Sequence, residues 1–290
     1  MKYFDGTLKQ GFIPLISMRV IQTLSGGLLG IFLPIFLFNL FDGNIKSVIY
    51  FFLIASLVYV IALAWGAQFL NEFGFRRALA TSVLFGVSFF ALFSFVTKEN
   101  MLYTLPILLV LLSFDRLLYW IPYHTDFAKF TDTRNRGREV GLLLASIEFL
   151  GALGPVIAGY VLDVFNFKTL FIISTILYAF MIIPILKIPR TNEQFSWSYI
   201  ETWRAFFSKE RRGAMVALGA IGAENTIAVV IWPIFIFQIL QGNYLQIGAL
   251  STIIVGVTIA LQLGMGKFID FGTLTKERTL RAGSIFYAIG

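Results

Sequence analysis

The chain has 290 residues, of which 58% are hydrophobic, 17% aromatic and only 13% charged, against about 45–50% apolar and about 25% charged in an ordinary soluble domain. There is no Cys and one His, His124, which excludes disulfides, thiolate catalysis and iron–sulfur ligation and argues against a His-based zinc site. The net charge of +7 falls in short loops between apolar runs, so it points to membrane topology and not to nucleic acid.

Met1 to Gln10 is short and carries Lys2 and Lys9. The stretch Phe12 to Phe41 is too long for the core of a signal peptide and has no small-residue cleavage site. It is expected to be a retained first span. Further apolar runs of bilayer length place spans near 12–40, 47–69, 77–97, 102–123, 140–163, 168–188, 213–240 and 245–267. A ninth begins near Thr279. The fold class is therefore an all-α, multi-pass membrane protein with eight full spans and part of a ninth.

Charge sets the orientation. With the N-terminus in the cytoplasm, the cytoplasmic segments hold 18 of the 23 basic residues, and the opposite side holds only Lys46, Lys98 and Lys168. Arg19 and Arg116 lie within spans. This asymmetry predicts a cytoplasmic N-terminus in the plasma membrane. The longest loop, 189–212, contains Ser198-Tyr199-Ile200-Glu201, a capping box. Trp197, Ile200, Trp203 and Phe207 follow at helical spacing, with Arg204, Lys209, Arg211 and Arg212 close by. The pattern predicts an amphipathic helix on the cytoplasmic leaflet, dividing the chain into 1–188, a linker 189–212 and 213–290.

The two parts share a repeat. Leu33-Pro34-Ile35-Phe36-Leu37-Phe38-Asn39-Leu40 aligns with Trp232-Pro233-Ile234-Phe235-Ile236-Phe237-Gln238-Ile239 at an offset of 199. The same offset sets Gly43-Asn44 on Gly242-Asn243, with nine identities over 39 positions. Two units of the same topology pack around an axis along the membrane normal.

Three motifs carry a family resemblance. The loop after span two reads Ala67-Gln68-Phe69-Leu70-Asn71-Glu72-Phe73-Gly74-Phe75-Arg76-Arg77. The loop after span eight carries Gly266-Lys267-Phe268-Ile269-Asp270. Span five contains Gly151, Gly154, Pro155 and Gly159, and the loop after span four has Arg134, Arg136, Gly137 and Arg138. Together these resemble the Major Facilitator Superfamily, whose members have six plus six helices and a cytoplasmic linker. In that family's loop after span two, Gly74, Arg76 and Arg77 match, while Ala67, Asn71 and Glu72 depart. The second copy restores Gly266 and the acid, Asp270. The resemblance implies that acid and bases in these loops pair across helix ends and gate the cytoplasmic side, with Asn71 weakening the first lock unless Glu72 substitutes. Gly154, Pro155 and Gly159 are similar to a stretch found in the family's proton-driven exporters; plain small-residue packing also accounts for them.

Five charges lie at membrane depth: Arg19, Asp115, Arg116, Glu148 and Glu224. Such residues are functional candidates by default. At 1.5 Å per residue they lie roughly 10–16 Å from the cytoplasmic ends of their spans. The resemblance implies that spans one, four and seven line a central cavity. Gln22, Tyr119, Trp120, Asn225 and Trp232 join the charges as substrate or coupling candidates. Asp115 and Arg116 are about 100° apart on their helix, so one is expected to face the cavity and the other to pair with a neighbour. Glu148 is the expected partner for Arg19 or Arg116. Glu224 is expected to carry protons, the alternative being a hydrogen bond to Asn225. Tyr123 and His124 read as interface anchors. An aromatic cavity with few charges suits amphipathic or cationic small molecules.

The expected function is secondary active transport of a small molecule by alternating access, as a proton-coupled exporter of amphipathic compounds. The alternatives are an importer or uniporter of a nutrient, or a non-transporting sensor or scaffold with the same fold. An embedded enzyme is not expected, since no aspartate cluster for magnesium occurs and His124 stands without a nucleophile motif. No cofactor or metal is expected. The expected partners are the substrate, protons and the lipid bilayer, with no nucleic acid and no implied oligomer. Because a full second repeat runs well past Gly290, the chain reads as part of one of roughly 390 residues, and the 290-residue product is expected not to transport.

Overall fold

The computed structural model describes residues 9–131, 136–191, 194–270 and 283; the side chains of 64, 136–138 and 262–270 are outside that description. Among the described residues, twelve α-helices run in chain order: α1 Phe12–Leu29, α2 Phe32–Leu40, α3 Ile45–Phe73, α4 Phe75–Phe93, α5 Met101–Phe130, α6 Arg136–Val164, α7 Phe167–Ala179, α8 Ile182–Leu186, α9 Tyr199–Phe206, α10 Arg212–Thr226, α11 Trp232–Ile239 and α12 Tyr244–Asp270. A single π-helical turn, Ile227–Ile231, joins α10 to α11. Among the described residues, eight helical stretches are long and apolar enough to cross a bilayer. They are the eight spans expected, with α1–α2, α7–α8 and α10–α11 each forming one. The ninth span, from Thr279, falls outside the described residues.

Two ends of the bundle can be distinguished. The proximal end carries the start of α1, the turn at Gly74 and the linker helix α9. The distal end carries the turns at 41–44, 94–100, 165–166 and 240–243. Asparagine starts several helices here because its side-chain oxygen satisfies an orphan backbone donor. Asn44 caps α3 by accepting from Lys46 N and Ser47 N. Asn166 caps α7 through Thr169 N, and Asn243 accepts from Gln246 N at 2.9 Å.

The repeat is visible in the backbone. Asp42 and Gly43 have φ of 54° and 81°; their counterparts 199 residues on, Gln241 and Gly242, have 52° and 80°. Gly43 N donates to Phe38 O at 2.8 Å, and Gly242 N donates to Phe237 O at 2.9 Å. Both turns are the same six-to-one closure of a helix C-terminus. The helix breaks match as well. Pro34 and Pro233 lack an N–H, which leaves the carbonyls of Gly30 and Val229 without their usual donors. The first span accordingly breaks at Gly30–Ile31, and the seventh opens into its π turn at the equivalent place.

The core is an aromatic and aliphatic cluster between α1, α2, α4, α5 and α7. Phe93 and Phe171 stack with centroids 5.1 Å apart, and Phe36 sits edge-on to both. In lipid such contacts hold helices by close packing, since exposed side chains are equally at home in acyl chains. Within α10 no side chain is buried.

The linker forms the expected helix. Ser198 accepts from Glu201 N, and the Glu201 carboxylate accepts from Ser198 N at 2.8 Å, so both halves of the capping box are made. Ile200 and Phe207 are exposed, and Arg211 lies 5.4 Å over the Trp197 ring. The Ser198 backbone donor, then its side chain, hold the Glu201 carboxyl below its ordinary value of 4.5. A depressed pKa means the stabilisation is present above the unfolded value and is lost as pH falls through the folded one. Hydrogen-exchange protection factors for 199–206 are therefore expected to drop on acidification below pH 4.5. Glu201→Gln should flatten that pH dependence, because Gln also completes a capping box. An unchanged profile in the Gln variant would refute the assignment.

Candidate functional site

A cavity of about 750 Å³ opens between spans one to four, six and seven. Its floor is polar. Gln22, Asp115, Arg116, Tyr119 and Trp120 all line it, as does His124, which was expected at the lipid interface. Its remaining wall is apolar, with Gly26, Gly30 and Leu33 from the first span and Val229 from the seventh.

Asp115 and Arg116 differ from expectation. Both line the cavity, although they are successive residues. The cavity is wide enough to meet two flanks of α5, and α5 runs on to Phe130. Asp115 thus lies near the middle of a 30-residue helix, roughly 22 Å from its proximal end and not 12 Å. The Asp115 carboxylate accepts a 2.6 Å hydrogen bond from the Tyr178 hydroxyl of α7. Gly86 of α4 leaves the room that the Tyr178 ring fills. Arg116 faces the Asp115 and Tyr59 side of the cavity, yet makes no hydrogen bond or ion pair with any described residue.

Arg19 is held differently. Its guanidinium donates to the Gln22 side-chain oxygen and lies 4.6 Å over the Trp120 ring, with Tyr123 beyond at 5.7 Å. An aromatic face supplies the electron density that an acid would otherwise provide. Glu148 is therefore not the partner of Arg19 or of Arg116: it is half-buried on α6 and pairs with neither. The buried hydroxyl of Tyr119 lines the cavity and has no hydrogen-bond partner among the described residues.

Span seven contributes less than expected. Asn225 and Trp232 are exposed and away from the cavity; Trp232 rests on Phe235 with centroids 5.6 Å apart. Glu224 is half-buried and makes no hydrogen bond to Asn225. It lies five residues before Val229, roughly 8 Å towards the proximal end.

The small residues of span five act as a contact surface on two sides. Gly154 approaches the backbone of span one so closely that a Cβ there would be 3.1 Å from Gly27 O. A Cβ on Gly159 would be 2.5 Å from Tyr244 O of span eight, and Gly248 of α12 meets the backbone at Pro155. The Thr252 hydroxyl donates to Ala152 O at 2.7 Å across the same seam. At the distal end Tyr244 joins the two halves: it meets Phe32 and Phe167 edge-on and stacks on Phe237. The equivalent residues Phe38 and Phe237 face each other at 6.4 Å.

The proximal loop after span two makes a different contact from the one expected. Gly74, at φ 83°, turns the chain between α3 and α4, as its motif position requires. Asn71 does not leave a gap in an ionic lock. Its amide donates to Phe195 O at 2.8 Å and accepts from Phe195 N at 2.7 Å, so it clasps the linker backbone. The Phe195 ring lies 5.9 Å from Phe75. Glu72, Arg76 and Arg77 make no ion pair among the described residues; Glu72 and Arg77 are exposed. Next to the clasp, the Thr191 hydroxyl donates to Asp126 of α5 at 2.9 Å. Gly266 and Asp270 fall in the last turns of α12, where the side chains are outside the described residues, and Arg134 lies outside them altogether. Among the described residues there is no cluster of His, Cys, Asp or Glu suited to a metal.

Sequence reasoning missed Tyr178, Tyr59, Thr191 and Phe195. Tyr178 was open to discovery, because spans four and six run in the same direction and Tyr178 and Asp115 lie at similar depth. The Phe195 clasp uses backbone groups, which leave no mark on residue type.

No curated protein matches the chain closely enough to serve as a relative. The sequence profile described as Major Facilitator Superfamily matches residues 15–290. That match spans nearly the whole chain and agrees with its eight membrane-length helices and its cavity between first and fourth spans, so this multi-pass membrane protein belongs to the Major Facilitator Superfamily, a family of membrane transporters.

Proposed function

We propose that the protein is a secondary active transporter that moves a small amphipathic molecule out across the plasma membrane by alternating access, driven by protons. The observation that carries this reading is the cavity itself. It has Asp115 and Arg116 at mid-membrane, aromatic walls and a distal end closed by Phe38, Phe237 and Tyr244. The unpacked α10 leaves the proximal side loose. With the N-terminus in the cytoplasm, this is a state that takes substrate from inside.

The proposed proton carrier is Glu224. A carrier must exchange with water on one side and lose hydration in part of the cycle. Glu224 is half-buried and makes no hydrogen bond among the described residues, whereas Asp115 already holds Tyr178. Glu224→Gln in the native protein is expected to abolish accumulation driven by a pH gradient in inverted membrane vesicles, while equilibrium exchange of substrate continues. Undiminished uphill accumulation by that variant would refute the assignment.

A further inference from the structure

We infer that the cavity is built for an organic anion: an acidic group paired with Arg116 and an aromatic or aliphatic body held against Trp120 and the apolar wall. This rests on the transport reading and narrows its substrate class, against the cationic preference that the composition suggests.

The charge inventory carries the inference. Within or beside the cavity are two guanidinium groups, Arg19 and Arg116, and one carboxylate, Asp115. The fixed charge is therefore positive even with Asp115 ionised. The two arginines are not equivalent. Arg19 is bonded to Gln22 and covered by Trp120. Arg116 has Asp115 beside it in sequence, yet the two are too far apart to form an ion pair. The Asp115 carboxylate accepts from Tyr178 instead. An arginine at membrane depth with no bonded partner among the described residues is costly, and its planar fork is shaped for a carboxylate or phosphate.

Other groups agree. The Tyr119 hydroxyl is buried in the cavity wall without a hydrogen-bond partner among the described residues and can donate to the same acid. Two carboxylates on neighbouring spans do not supply the missing charge. Glu148 pairs with neither arginine, and Glu224 lies about a turn and a half before the only span-seven residue that reaches the cavity. An organic cation placed here would meet one engaged carboxylate and two like charges.

Three naphthalene probes of one shape test this on the unaltered full chain in phosphatidylcholine nanodiscs: 1-naphthoate, 1-naphthylmethylammonium and 1-naphthalenemethanol. Equilibrium dialysis should show saturable binding of naphthoate at least tenfold tighter than of the ammonium. Arg116→Gln should weaken naphthoate at least tenfold and leave the alcohol within twofold, which also reports that the cavity is intact. Arg116→Lys should recover part of the loss. The inference is overturned if the ammonium binds as tightly as naphthoate, if neither binds saturably, or if Arg116→Gln binds naphthoate unchanged. Naphthoate that binds as expected but shows no saturable flux through the native protein in proteoliposomes would remove the transport reading alone. Saturable flux of the ammonium without the anion would remove the inference alone.

Discussion

Gly159→Ala is expected to destabilise the protein by ~2 kcal/mol, within the usual cost of overpacking a tight contact. The added methyl would lie 2.5 Å from Tyr244 O and 3.3 Å from Gly248 Cα. Neither is the end of a flexible side chain; both belong to the backbone of α12. Spans five and eight would have to separate along the seam that Thr252 and Ala152 close. Gly151→Ala is the matched control. It is on the same helix, with nothing within 4 Å of the new atom, and should be neutral or gain up to ~1 kcal/mol from helix propensity. Reversible unfolding in mixed detergent micelles measures both. Equal midpoints for the two variants would show that the seam between spans five and eight is not the tight contact described.

The second large effect is at Asn71. Asn71→Asp retains the acceptor for Phe195 N but replaces the donor with a carboxylate facing Phe195 O. Leaving a partly buried carbonyl unpaired costs ~1–3 kcal/mol. The linker segment, and not the whole bundle, should feel this loss. Where local opening is fast compared with cleavage, proteolysis follows the open population, and each 1.4 kcal/mol is about tenfold. Tryptic cleavage at Arg204 and Lys209 is thus expected to quicken by roughly tenfold with the thermal midpoint little changed. Mild acid should restore part of the protection, because a protonated Asp regains a donor. If cleavage is no faster in the variant, the clasp does not hold the linker.

Asn71 also shows what a family pattern conceals. Read against the family's loop, it is a missing charge, and the expected consequence was a weak ionic lock. In the structure its amide performs something an aspartate could not, since both a donor and an acceptor are needed to pair with the backbone N–H and C=O of one residue. The spans were legible because twenty apolar residues in a row permit little else. The repeat was legible because Pro, Gly and Asn at fixed offsets dictate backbone shape, and the matched dihedrals at 42–43 and 241–242 follow from them. Side-chain direction was less accessible. Helical geometry set Asp115 and Arg116 on different flanks, but the width of the cavity, which lets both face it, is a property of how six spans pack. Glu148 was assigned to an arginine by charge balance, whereas the tryptophan face over Arg19 neutralises nothing in a formal count.

The paired interruptions in the first and seventh spans have a mechanical consequence. Each divides its span into a long proximal rod and a short distal one, and both joints, at Gly30 and Val229, lie in the cavity wall. The short rods Phe32–Leu40 and Trp232–Ile239 are bolted to each other through Phe38 and Phe237. The pair is therefore two short arms on two matching joints, and a displacement of either arm is shared with the other through that aromatic contact.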